Sequence, residues 1–154
     1  MKLDTGVEQR TLVLTRTMKA PARLVFQAWC DPKHLVRWWG PKDFTLPRCE
    51  QDLRVGGKYR FCMRAPDGSD HWVRGEYLEI TEPHRLVFTW LREDEQGDIW
   101  CDNVVAIELS EQGGRTTLTL SQTAFATVAH CDEHRDGWSE CLDRLTDFVE
   151  TQLP

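Results

Sequence analysis

The chain has 154 residues, 40% hydrophobic and 29% charged, with a formal net charge of −6. That length fits one domain, and the balance is that of a globular rather than a disordered chain. The 19 Lys and Arg are scattered singly through an acidic sequence, which excludes a nucleic-acid surface. No apolar run approaches the roughly 18 residues of a membrane span, and Met1–Arg10 lacks the apolar core and cleavage site of a secretory signal. A cytoplasmic domain over residues 1–154 is expected, with its core in about 10–152. Cys30, Cys49, Cys62, Cys101, Cys131 and Cys141 contain no Cys-x-x-Cys pair, so reduced and mostly buried thiols are expected rather than a disulfide or metal framework.

Thr11–Met18 alternates β-favouring residues and reads as the first strand. Ala20-Pro21-Ala22 opens a helix whose apolar stripe is Leu24, Val25 and Ala28, widened by Phe26 and Trp29. Asp31-Pro32 starts a second short helix, which Gly40-Pro41 ends. From Phe44 the period changes to two. Strands are expected over Phe44–Asp52, Tyr59–Arg64, His71–Ile80, Arg85–Leu91, Trp100–Ser110 and Arg115–Gln122, joined by turns such as Ala65-Pro66-Asp67-Gly68-Ser69. Short turns make neighbouring strands antiparallel. Gly56-Gly57 reads as a turn or bulge at a strand entry, since no Lys-Ser/Thr follows it to make a phosphate loop. Trp138, Cys141, Leu142, Leu145, Phe148 and Val149 recur at helical spacing, giving a last helix able to cover the apolar face of the sheet. The class is α+β.

Candidate chemistry is sparse. His130 and His134, four apart around Cys131, have the helical spacing of a zinc pair, but no Glu adjoins His130, and two surface histidines are the expected reading. No Gly-x-Ser-x-Gly elbow or other nucleophile motif is present. Glu76, with Asp70 and His71 nearby, offers acid–base groups if it faces inward, whereas strict alternation turns Glu76 outward and Tyr77 inward. The strongest feature is the aromatic load of seven Trp. Trp38, Trp39, Trp72, Trp90 and Trp138, with Tyr59, Phe61, Met63, Tyr77 and Phe88, either line an apolar cavity or fill a core.

The run Val25-Phe26-Gln27-Ala28-Trp29-Cys30-Asp31-Pro32-Lys33-His34-Leu35-Val36-Arg37-Trp38-Trp39-Gly40-Pro41 resembles the opening of proteins similar to the activator of the heat-shock-protein-90 ATPase, a START-like family. The resemblance continues through Val55–Phe61, Gly75–Ile80 and Pro83–Thr89 to Gly137–Leu145. It implies a helix-grip fold: a curved antiparallel sheet of about seven strands around the long C-terminal helix, with two short helices after the first strand. It also implies a space between sheet and helix that holds hydrophobic molecules in the wider superfamily, but no catalytic signature, metal or cofactor. Because members include carriers, receptors, cyclases and co-chaperones, fold alone does not fix function. Chaperone-activating members carry a second domain, for which 154 residues leave no room.

The expectation is therefore a protein, monomer or homodimer, that binds a small hydrophobic or aromatic molecule. Trp38, Phe61, Met63, Trp72, Tyr77, Phe88, Trp90, Trp138 and Leu142 are the expected cavity lining, and Trp38–Phe44 the guard of its entrance. A stress-related, chaperone-associated interaction protein is the first alternative, and an enzyme using Glu76, His71 or Asp70 the second.

Overall fold

Residues 3–151 are described by a computed structural model. A helix α1 (Leu3–Gln9), which no apolar periodicity announces, precedes strand β1 (Leu12–Met18). The chain continues through α2 (Ala22–Cys30), α3 (Pro32–Trp38), β2 (Thr45–Gln51), β3 (Lys58–Arg64), β4 (Asp70–Thr81), β5 (Arg85–Glu93), β6 (Ile99–Gln112) and β7 (Arg115–Thr123) to α4 (Val128–Thr151). Asp31 caps α3, its carboxylate accepting the Lys33 backbone N–H at 2.9 Å, and Pro32 occupies the first turn, where no donor is needed. Helix α3 stops because Trp39 turns extended and Gly40 adopts φ 105°, a conformation that favours glycine.

The seven strands form one antiparallel sheet in the order β1-β7-β6-β5-β4-β3-β2. Helices α2 and α3 carry the chain from one sheet edge to the other, and α4 lies across the inner face. Cys131, His134, Trp138, Cys141, Leu142, Leu145, Phe148 and Val149 are its buried positions, an apolar stripe at three- and four-residue steps. This is the helix-grip arrangement. The helix starts at Val128, well ahead of the apolar periodicity that begins at Trp138. Phe26, Trp38, Phe61, Leu118, Leu120 and Leu142 are fully buried, each contributing about 1.5–3 kcal/mol or more through removal from water. All six cysteines are free thiols, four of them buried.

Two bulges change which side chains face inward. Tyr77 pairs with Phe88 and Glu79 with Val87, so Leu78 is an extra residue in β4. Arg92 pairs with Cys101 and Glu93 with Ile99, so Trp100 is the extra residue in β6. A bulge re-aims the side chain it carries. Trp100 accordingly meets α4, its ring 5.1 Å from that of His130.

Candidate ligand cavity

Between the first half of α4 and the inner face of the sheet lies a cavity of about 730 Å³. Its apolar wall is built from Trp39, Phe44, Met63, Trp90, Trp100 and Trp138. Met63 and Trp90 reach it by strand alternation, Trp39 by the extended residue after α3, and Trp138 from the buried face of α4. Trp39, Trp90 and Trp138 pack as a triangle with centroid separations of 5.5, 6.1 and 5.2 Å, in tilted and edge-on geometries that suit aromatic quadrupoles. The Trp138 indole N–H donates to Gln122 Oε1 at 2.8 Å, and Gln122 Nε2 donates to Asn103 Oδ1 at 2.7 Å. Gln122 and Asn103 are buried, so this chain satisfies polar groups that would otherwise be expensive to bury and fixes the Trp138 ring.

One end of the cavity is polar. Arg92 continues the inward register of Leu86, Phe88 and Trp90, and so places a guanidinium inside the grip. Its Cζ atom sits 5.0 Å from the centre of the Trp100 ring. His134 Nε2 accepts the Trp90 indole N–H at 3.3 Å, and its Nδ1 lies 2.8 Å from the His130 carbonyl oxygen. The indole can only donate and the carbonyl can only accept, so the imidazole carries its proton on Nδ1 and is neutral. Burial first, with the Arg92 charge adding to it, pushes His134 down to about 4, against a hydrogen bond to the His130 carbonyl that favours the cation.

The mouth is framed by the loop 40–44, the β3–β4 hairpin and the β5–β6 turn. Arg144 of α4 holds the loop in place: its Nη1 donates to the carbonyls of Gly40 at 3.0 Å and Pro41 at 2.9 Å, with Trp39 and Phe44 carbonyls at 3.4 and 3.2 Å. The Lys42 backbone N–H adds a bond to Glu140 at 3.1 Å. At the hairpin, Asp70 pairs with Arg64 at 2.7 Å, and the Ser69 hydroxyl donates to Asp67 at 2.6 Å while standing 3.1 Å from His71 Nε2. With the hydroxyl proton already given to Asp67, His71 can only donate to Ser69 Oγ. That is the reverse of nucleophile activation.

Of the nine residues expected to line the cavity, Met63, Trp90 and Trp138 do so through their inward side chains. Trp72 borders it from the other side of the sheet: it pairs with Cys62, and its ring covers Arg60 at 3.9 Å. Inward register in β4 belongs to His71, Val73 and Tyr77 instead. Trp38, Phe61, Tyr77, Phe88 and Leu142 are buried in packed core away from the cavity. Phe61, Tyr77 and Phe88 meet Trp29, Leu35 and Tyr59 around a void of only about 10 Å³, too small for a ligand. The aromatics thus divide between the cavity wall and a packed core. In the Trp38-Trp39 pair, Trp38 donates its indole N–H to the Ala28 carbonyl at 3.0 Å inside the core, and Trp39 takes the wall.

Among the acid–base candidates, Glu76 lies on the outer face beside Lys58, Arg60 and Arg74, as alternation requires. His71 and Asp70 border the cavity. His134 is buried, not at the surface as its sequence context indicates, because α4 turns that face onto Trp90 and Phe125. No cluster of His, Cys, Asp or Glu among the described residues forms a metal-binding group. Burial pushes the Cys141 and Cys30 thiols up to about 12, leaving them protonated and weakly nucleophilic near neutrality. Arg92 and Trp100 were absent from the expected lining. Alternation from Leu86 through Trp90 reaches Arg92 directly, whereas nothing local signals the bulge at Trp100.

No helix among the described residues is long and apolar enough to cross a membrane. Among solved structures, the chain is similar to a Chromobacterium violaceum protein at 28% identity and TM-score 0.84, covering 93% of this chain and 99% of that one. A Nitrosomonas europaea protein is similar at 25% identity and TM-score 0.80, covering 94% and 96%. A Mycobacterium smegmatis protein shares the fold at 23% identity and TM-score 0.79, covering 96% and 95%. No functionally curated protein matches the chain. The model of the family described as activator of Hsp90 ATPase homolog 1-like protein matches residues 19–150. With a match of that length, and with the helix-grip fold, this chain belongs to that START-like family.

Proposed function

We propose that this chain binds one small hydrophobic, aromatic molecule in the cavity beneath α4 and does not transform it. The observation that carries the reading is the cavity itself, about 730 Å³ with Trp39, Trp90, Trp100 and Trp138 on its inner wall and one polar end. That size and composition match sites for drug-sized ligands, which bury most of an apolar body and orient it through a few polar groups. The groups that border the cavity do not form a nucleophile–base pair, since Ser69 gives its proton to Asp67 and Asp70 is held by Arg64. The exposed large apolar residues are spread over separate elements, among them Val13, Val36, Leu78 and Val128, and this favours the cavity over an apolar docking patch as the working surface.

Native mass spectrometry of freshly purified protein, followed by titration with N-phenyl-1-naphthylamine, tests the reading. A co-purifying small molecule, or saturable uptake of one probe per chain, is expected. The absence of both up to the solubility of the probe would overturn it. The same spectrum separates monomer from homodimer.

A further inference from the structure

The guanidinium of Arg92 is placed where a structural arginine has little reason to be. It is largely buried at the cavity wall, and no carboxylate of the described residues lies within ion-pair distance of it. Its Nε is one of two buried side-chain polar atoms among the described residues without a hydrogen-bond partner. Among the described residues its only polar side-chain contact is Nη1 at 3.5 Å from His134 Nε2, an atom already accepting the Trp90 N–H. A buried charged donor left unmatched is costly, and an anion that accepted from it in fork geometry would relieve that cost. The charged and titratable neighbours fit such a guest. His134 is neutral, His71 is depressed by burial and by the Arg92 charge, and Glu93 is turned to the outer face by Arg60 at 3.1 Å. Asp94 spends its carboxylate on the backbone N–H groups of Gln96 and Asp98, both at 2.9 Å, and Asp70 is paired with Arg64. Glu133, exposed at the rim, is the carboxylate whose charge reaches Arg92.

We infer that the ligand is a hydrophobic carboxylate, its apolar body against Trp39, Trp90 and Trp138 and its carboxylate on the Arg92 guanidinium. This rests on the cavity being a binding site, and it adds the charge and orientation of the guest. Binding is a pure association in which no bond forms or breaks. The aromatic triangle supplies affinity without regard to charge, and Arg92 supplies the discrimination between an acid and its neutral analogue.

The test compares 2-naphthylacetate with 2-naphthylacetamide, which share shape and differ in charge, by quenching of tryptophan fluorescence at neutral pH. For the wild type the carboxylate should bind about tenfold or more tightly than the amide, the scale of a charge-assisted pair in a partly desolvated site. Arg92→Met should abolish that preference, weakening the carboxylate far more than the amide, and a cooperative urea transition reports whether the variant is folded. Where Arg92→Met does not fold, the wild type still decides: the Arg92 Nε–H signal in a 15N-correlated NMR spectrum should shift with the carboxylate and much less with the amide. Equal affinity for the two probes, a preference that survives in the folded variant, or an Arg92 signal indifferent to the carboxylate would each overturn the inference while leaving the cavity reading intact. Failure of both probes to bind would overturn both.

Discussion

Mild acid should destabilise this domain through His134 in a pH range where most carboxylates remain ionised. The imidazole is committed on both sides, its Nδ1 proton to the His130 carbonyl at 2.8 Å and its Nε2 lone pair to the Trp90 N–H at 3.3 Å. A second proton on Nε2 would face the Trp90 N–H head on and set a cation 3.5 Å from Arg92 Nη1. Burial above all, with the Arg92 charge beside it, lowers the ring to about 4 in the folded chain, against 6.5 for an ordinary histidine. Between those values the unfolded state holds more protons than the folded one, so stability is complete above pH 6.5 and declines as pH falls toward 4. Integrated from pH 7 to pH 5, the loss amounts to about 2 kcal/mol. His71 is depressed as well and contributes in the same direction, so the wild type alone does not isolate the effect. Urea unfolding followed by tryptophan fluorescence, on the wild type and on His134→Gln at both pH values, does isolate it. The glutamine keeps an acceptor near Trp90 and cannot take up a proton. The wild type should lose about 2 kcal/mol more than H134Q between pH 7 and pH 5. Equal losses in the two proteins would refute the neutral-imidazole argument.

Three further outcomes follow from the same packing. Arg144→Met removes the donor that reaches the Gly40 and Pro41 carbonyls, and should reduce stability by about 1–3 kcal/mol in urea unfolding and speed amide exchange in loop 40–44. Gln122→Leu strands the Trp138 N–H and the Asn103 amide oxygen inside the protein, and should reduce stability by about 2–4 kcal/mol, read as a lower urea midpoint. Gly75→Ala would drive a methyl group into the Thr89 carbonyl and to 2.7 Å from the Tyr59 ring, so a loss of about 3 kcal/mol is expected from thermal unfolding.

The fold was far more legible than the site, and particular residues show why. Period-two alternation in β3, β5, β6 and β7, the Asp31-Pro32 start of α3 and the apolar stripe of α4 are local signals, and each is realised where the sequence places it. Cavity walls depend on register and on long-range placement, which local patterns do not encode. Trp72 reads as inward only if its strand is shifted by one residue; paired with Cys62, it lies over Arg60 instead. Trp100 is brought to α4 by a bulge that leaves no compositional mark. Trp38 and Trp39 are adjacent and equally aromatic, and only the extended conformation after α3 assigns one to the core and the other to the wall. Arg92 was legible in principle, since it continues an inward row, but a cation in an apolar register is easily read as the end of a strand.

The central claim is that the cavity under α4, rather than the outer surface, receives the ligand. Fluorine NMR of protein labelled with 5-fluorotryptophan tests it most directly, because the seven tryptophans divide between cavity wall, packed core and outer face. On titration with 2-naphthylacetate the signals of Trp39, Trp90, Trp100 and Trp138 should shift together and saturate at one equivalent, with those of the core residues Trp29 and Trp38 far less affected. Saturable shifts confined to Trp72, or binding that leaves the four wall signals unmoved, would contradict the account.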